Sequence, residues 1–377
     1  MSDFRIERSE KLNSEEHAFW TAALSDRDFG ALTLPWTEAV RTAGPKNLEL
    51  YYLQVYSGQE RRALVVLHVL RSLDLSGYIG RTVKKIFSWI AKLGWRPLAV
   101  DLAFLEIPIA NLGGIQFAPG AESSSQAIAS AALAHIRNEI PYSVLCLKAT
   151  PTQPGEAAFA QLGMLKTDFL ANMGVQFKGE KSFEEFLKRI NPKIRTQCRA
   201  YSREFVNAGG TIEIIEAPDQ AVLEIMNRLY SGTLQYHAEN SNLELPIPLS
   251  PEFFPSLVKA LPGASRVFLA RLNGDPVGFS LVLDSGGASY FTHCGLDYAR
   301  TVPSRAYFNL YYAMIADSIR RGVRNLELGA EAYQVKKKLG AVACPTVYHF
   351  EVKNRVLRAI ASFVARNFAA QEGAQLK

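Results

Sequence analysis

Residues Tyr290 to Gly340 read YFTHCGLDYARTVPSRAYFNLYYAMIADSIRRGVRNLELGAEAYQVKKKLG. The order is strand, irregular loop, long helix, strand, then a tight Gly-Ala turn into a lysine-bearing segment. The helix is expected over Ser304 to Arg321, opened by Pro303-Ser304-Arg305. Amides at a helix N-terminus attract anions, and Arg300 and Arg305 flank this one. Arg300, Ser304 and Arg305 are therefore candidates for holding a phosphate group; a simple capped helix is the competing reading.

Upstream, Ser265 to Leu272, Pro276 to Asp284 and Ala288 to Cys294 read as three strands, the first two joined by Asn273-Gly274, a strong hairpin signal. Helices are expected over Asp219 to His237 and after Ser250, a candidate N-cap. Asn191 and Pro192 start another helix that runs to Asn207 and stops at Gly209-Gly210. Downstream, Thr346 to Val352 reads as a strand, and an amphipathic helix runs from Asn354 to about Ala369. The first half follows a similar grammar. A hairpin is expected from Leu48 to Tyr56 and Arg62 to Leu70, a helix over Gly80 to Leu93, and strands over Leu98 to Ile107 and Ser143 to Lys148. An Ala-rich helix spans Ser123 to Glu139, and Lys166 to Phe177 is strand-like. The first forty-five residues are weakly patterned, with turn signals at Leu34-Pro35 and Gly44-Pro45. We expect an α/β protein of two domains, residues 1–170 and 171–377.

The chain has 377 residues, 48% hydrophobic and 21% charged, which excludes a disordered or low-complexity protein. Its longest apolar stretch, Ala63 to Leu70, falls far short of the ~18 residues that cross a bilayer. No signal-peptide pattern begins the sequence. Four scattered cysteines (Cys146, Cys198, Cys294 and Cys344) form no CxxC pair, so no metal site is expected and a cytoplasmic location fits. The net charge of +6 is uneven. Between Lys178 and Glu204 eight basic residues face four acidic ones, and Glu351 to Lys377 holds five against two. Such clusters suit a phosphate-bearing partner or an anionic membrane surface, which gives the C-terminal helix a candidate peripheral membrane contact. Arg195, Arg199 and Arg203 recur every fourth residue and so line one helix face.

The block LELGAEAYQVKKKLGA (326–341) resembles the acetyltransferase domain of the GNAT superfamily. More narrowly it is similar to the BioF2-like branch, related to the Fem-type peptidoglycan aminoacyltransferases. The matching positions are Gly329, Lys336, Leu339, Gly340 and Ala341, together with Leu249 to Phe254, Gly295 to Tyr298, Ala306 to Tyr312 and the helix Pro192 to Gly209. The resemblance covers about residues 180 to 350. It implies two GNAT-like mixed-sheet domains in tandem, the first degenerate, and an acyltransferase acting on an amine. The usual GNAT donor loop, Gln/Arg-x-x-Gly-x-Gly/Ala, is replaced by DYARTVPSR, which leaves CoA unsettled as the donor.

Acyl transfer needs a base for the attacking amine and donors for the oxyanion. Candidates for the base are His293, late in its strand, and Glu327 and Glu331 around the end of the next; each has a structural alternative. Lys336 combines a matching position with a need for positive charge and is expected to be an exposed cleft lysine. Tyr333 donates a hydrogen bond or packs. His237, before a polar loop, is a further residue that could reach the cleft. The donor expected first is an acyl-CoA or acyl carrier protein, with no cofactor tightly bound. An aminoacyl-tRNA comes second and a non-catalytic basic docking module third. The acceptor is an amine on a small molecule or peptide.

Overall fold

The structure is a computed structural model that describes residues 4–25, 30–74, 92, 99–107, 112–149, 155–168, 172–240, 249–330, 332–344, 346–354 and 358. Apart from Lys92, Asn354 and Arg358, the helices expected over Gly80 to Leu93 and Asn354 to Ala369 lie outside the described residues. The chain begins with β1 (Phe4–Ser9), α1 (Ser14–Leu24) and α2 (Gly30–Ala43). Then come the hairpin β2 (Leu48–Ser57) and β3 (Glu60–Asp74), β4 (Ala99–Ile107), β5 (Leu112–Gly113) and β6 (Ile115–Phe117). Helix α3 (Ser125–Glu139), β7 (Val144–Ala149), α4 (Glu156–Gln161) and β8 (Leu165–Asp168) complete the first half.

The weakly patterned N-terminus is in fact ordered. Asn13 closes a capping box with Glu16, satisfying two amides at the start of α1. The turn expected at Leu34-Pro35 lies inside α2. Leu32, Trp36, Ala39, Val40 and Ala43 recur at helical spacing and are buried, mostly against α8 of the second half, which outweighs the proline.

The second half contains β9 (Asn172–Gln176), α5 (Phe183–Arg189), α6 (Pro192–Asn207), β10 (Gly210–Ile215), α7 (Gln220–Asn240) and α8 (Phe253–Ala260). After them come β11 (Ser265–Leu272), β12 (Asp275–Ser285), β13 (Ala288–Leu296), α9 (Tyr298–Ser304) and α10 (Ala306–Arg320). The chain then forms β14 (Asn325–Gly329), α11 (Tyr333–Lys338), β15 (Val342–Cys344) and β16 (Val347–Val352). Asn191 accepts from the Lys193 amide at 2.9 Å, with Pro192 in the first turn, as its spacing predicts. Asn273 and Gly274 both have positive φ, the conformation of a tight hairpin turn. Ser250 does not cap α8; its hydroxyl donates to the Ala43 carbonyl at 2.9 Å and ties the two halves together.

Each half contributes to two sheets of the same layout. The first runs β1-β2-β3-β4-β7-β16-β8, and the second β10-β11-β12-β13-β14-β9-β15. In each path every neighbouring pair is antiparallel except one parallel junction, β4 with β7 and β13 with β14. The halves exchange strands. Lys166 to Phe177, which reads as one segment, is split between β8 in the first sheet and β9 in the second. Strand β16, on the far side of a division at residue 170, returns to lie between β7 and β8. A shared core packs Trp36 and Val40 of α2 against Phe253, Leu257, Leu281 and Leu283 of the second half.

Candidate active site

Strand β13 pairs with β14 only from Ala288 to Tyr290, opposite Asn325 to Glu327; β13 then continues to Leu296 while that ladder stops. Two bulges sit at the parting. On β13, Leu281 faces His293 and Val282 faces Phe291, so Thr292 is the extra residue and its hydroxyl donates to the Leu281 carbonyl at 3.2 Å. On β14, the register against β9 shifts between Glu327 and Gly329. Bulges bend and re-aim strands, and here they open a wedge in the middle of the sheet. Gly329 ends β14 with φ 70°, a left-handed conformation that glycine adopts without strain.

On the wall formed by α10, Phe291 meets Tyr311 edge-on at 5.8 Å, and the Tyr307 and Tyr311 hydroxyls lie 3.0 Å apart. Burial of Tyr311 pushes its phenol well above the ordinary tyrosine range, so it stays protonated and able to donate. At the solvent end, the Tyr298 hydroxyl sits 3.0 Å from His237 Nε2. The Tyr236 ring stacks on Tyr298 at 3.8 Å.

The structure redistributes the residues expected from sequence. Lys336 is not an exposed cleft lysine. It is 2% exposed, and its Nζ donates to the Gly329 and Ala330 carbonyls at 3.1 and 2.6 Å, clamping the turn that ends β14. Lys337 and Lys338 are exposed, and Tyr333 is buried beneath the same turn. His293 is enclosed by Trp36, Tyr230, Phe253 and Phe254, in the core shared between the halves and away from Tyr311. Burial pulls its pKa down to about 4, and its Nδ1 has no hydrogen-bond partner among the described residues. It is poorly placed to serve as a base. Glu327 accepts from Asn325 Nδ2 at 2.7 Å and faces the Cys344 thiol, which burial pushes up to about 11. Glu331 lies outside the described residues.

The phosphate-binding candidates also differ from expectation. The long helix is broken: α9 ends at Ser304, Arg305 takes φ 64°, and α10 begins at Ala306. Ser304 therefore closes one helix, its hydroxyl donating back to the Arg300 carbonyl at 2.6 Å, instead of opening the next. Arg300 pairs with Asp275 at 3.2 Å; Arg305 pairs with Glu204 at 2.8 Å and lies over the Tyr201 ring. On α6, Arg199 pairs with Glu184 at 2.5 Å, while Arg203 is exposed and Arg195 half-buried, neither with an ion pair among the described residues. Arg305 and Glu204 join this basic helix to the α9–α10 corner. The tyrosines escaped the sequence reading, although Tyr307 and Tyr311 stand one helical turn apart within AYFNLYY. Among the described residues no three His, Cys, Asp or Glu side chains are grouped to hold a metal ion.

A FemAB-like family model, described as peptidoglycan biosynthesis/recognition, matches residues 105–376. A curated relative from Mycobacterium tuberculosis, named as a putative 8-amino-7-oxononanoate synthase 2, is 34% identical over 174 residues. That match covers 44% of this chain and 22% of the relative, so the chain spans about a fifth of that protein's length. Among solved structures, FemX aligns over 94% of this chain and 99% of its own with a TM-score of 0.55 at 12% identity. A tandem GNAT protein from the clavulanic acid biosynthesis pathway aligns over 93% and 99% with a TM-score of 0.53, also at 12% identity. The C-terminal domain of a putative lysylphosphatidylglycerol synthetase from Agrobacterium fabrum aligns over 94% and 97%, with a TM-score of 0.55 and 12% identity. At that identity the likeness is one of fold, two GNAT-type sheets in tandem. With the family model spanning most of its length, the chain belongs to the FemAB-like family of GNAT-fold, Fem-type acyltransferases.

Proposed function

We propose that the protein transfers an aminoacyl group from an aminoacyl-tRNA to an amine, with the wedge between β13 and β14 as the reaction site. The observation that carries this is the end of the β13–β14 ladder at Tyr290 and Glu327, beneath a wall of tyrosine hydroxyls. Strand amides released from a ladder are fixed donors for a developing oxyanion. The amine attacks the ester carbonyl, the C–N bond forms, and the ester C–O bond breaks. The proton lost by the amine passes to the departing ribose oxygen, with the Tyr311 hydroxyl on that wall as the relay.

This reverses the order of donors expected from sequence. Family membership supports an aminoacyl donor, as does the basic face of α6 beside Arg305. DYARTVPSR also forms a short helix and a left-handed turn in place of a glycine-rich phosphate loop. The acyl-CoA reading is retained because the tandem-sheet fold is shared with a GNAT protein. In the deciding experiment, purified protein is incubated with labelled aminoacyl-tRNA or with acetyl-CoA and a panel of peptide and small-molecule amines. RNase-sensitive transfer supports the proposal; transfer from acetyl-CoA that survives RNase refutes it. The acceptor's identity and a two-domain division near residue 170, with β16 returned to the first sheet, belong to the same proposal.

A further inference from the structure

Tyr236 and Tyr298 lie 62 positions apart in the sequence, yet their rings stack almost parallel, 3.8 Å between centroids and 7° between planes. Tyr298 is fixed from the side by the hydrogen bond to His237, whose ring stands edge-on to it at 87°. Tyr236 is 40% exposed. An ordered aromatic stack at the surface has no counterpart in core packing. Edge-on and more widely offset contacts are the usual aromatic preference, and this pair departs from both. The stack also sits in a defined place: Tyr298 stands two residues past the end of β13 and opens α9, Arg300 is two residues farther on, and Tyr298 is close enough to Tyr311 to act on its phenol.

From this geometry we infer that Tyr236 and Tyr298 form a stacking platform for the adenine of the acyl donor. The inference rests on the acyl-transfer reading above and names the part of the donor held at its mouth. Every base has a π-face that stacks on an aromatic side chain, and such a contact is weak in sequence preference but substantial in strength. Adenosine ends an aminoacyl-tRNA, and adenosine also ends CoA. The platform therefore fits either donor, while a carrier protein's phosphopantetheine arm has no ring to place there. With adenine on the outer face of Tyr236, the phosphates next to it would lie toward the Arg300–Arg305 corner.

The test measures binding, so it is independent of turnover. Two probe pairs are titrated into the full chain: an RNA hairpin ending in CCA against the same hairpin with an abasic final nucleotide, and CoA against 4′-phosphopantetheine. At least one adenine-bearing probe should bind about tenfold more tightly than its partner. Tyr236→Ala should abolish that difference, leaving the adenine-free probe unchanged, and Tyr236→Trp should restore it. The pair that shows the difference identifies the source of the adenine. No difference in either pair overturns the platform, as does equal weakening of both members of a pair in Tyr236→Ala, which would mark a loss of charge or fold. If adenine binding holds but no amine is ever acylated, the transferase reading fails while the platform stands.

Discussion

The two sheets share a layout and differ at one junction. In the first, β4 and β7 pair from Leu102–Val144 to Leu105–Leu147, and β4 then turns through Glu106 and Ile107 into a short antiparallel ladder with β5. Strand β7 is buried along its whole length. In the second, the equivalent ladder lasts three steps, after which β13 runs on alone on that side, bent by the Thr292 bulge. The first junction is continued by the β4–β5 ladder, while the second opens beside tyrosine hydroxyls. On the proposal above, one architecture yields a structural half and a reactive half, and what distinguishes them is two bulges and a glycine turn.

The sharpest way to break this contrast is at Lys336. Replacing it with Met leaves the Gly329 and Ala330 carbonyls without the ammonium and lets the end of β14 move. We expect transfer to fall by about a hundredfold and stability by about 1–3 kcal/mol, read by turnover and urea denaturation. Wild-type activity in this variant would show that the wedge does not depend on its clamp. Next in size is Leu147→Ala in the closed junction, where a buried leucine is truncated. It should cost about 2–5 kcal/mol in stability, while kcat per folded molecule stays within about twofold. A large loss of kcat with intact substrate binding would mean that the first half also does chemistry.

A third effect concerns the seam between the halves. His293 has its pKa lowered from 6.5 to about 4 by burial, so the unfolded chain binds its proton more tightly than the folded one. The stability from keeping this ring neutral is fully present above pH 6.5 and is lost as pH falls toward 4. Between pH 7.5 and 5 that amounts to about 2 kcal/mol, and His293→Phe should remove this part of the acid sensitivity. Identical pH profiles for the variant and the wild type would place the sensitivity elsewhere. The smallest effect expected is on salt dependence. Each phosphate contact adds about 0.7–0.9 to the slope of log affinity against log salt. Replacing Arg195, Arg199 and Arg203 with Ala should flatten the slope for tRNA by about two units, because Arg199 already has Glu184 as a partner. An unchanged slope would remove α6 from the RNA path.

Much of the second half was readable because its signals are local. Asn273-Gly274 names its turn, Asn191-Pro192 names its helix start, and the motif around Gly329 and Lys336 carried the fold family. What sequence hid was set by distant partners. The bonds of Lys336 to two carbonyls, and the enclosure of His293 by Trp36 from the other half, are tertiary facts with no periodic trace. The left-handed Arg305 broke an otherwise continuous helical pattern. A signal was present but overlooked in α2, where helical spacing from Leu32 to Ala43 outweighed the turn suggested by Leu34-Pro35.

The strand exchange also orders events during synthesis. Among the described residues, strand β8 has ladder hydrogen bonds only to β16, and β15 only to β9. As the chain leaves the ribosome, the first sheet must wait with the β7 edge open until residues 347–352 emerge, about half the chain later. The second sheet has its borrowed strand in hand from the start, since β9 is made before any of its neighbours. The second half can therefore close its sheet first, although it is made last, and the delivery of β16 fastens the first half afterwards. An exposed β7 edge is the vulnerable state of the nascent chain, and a fragment ending near residue 170 would remain in it permanently, inviting pairing with other chains.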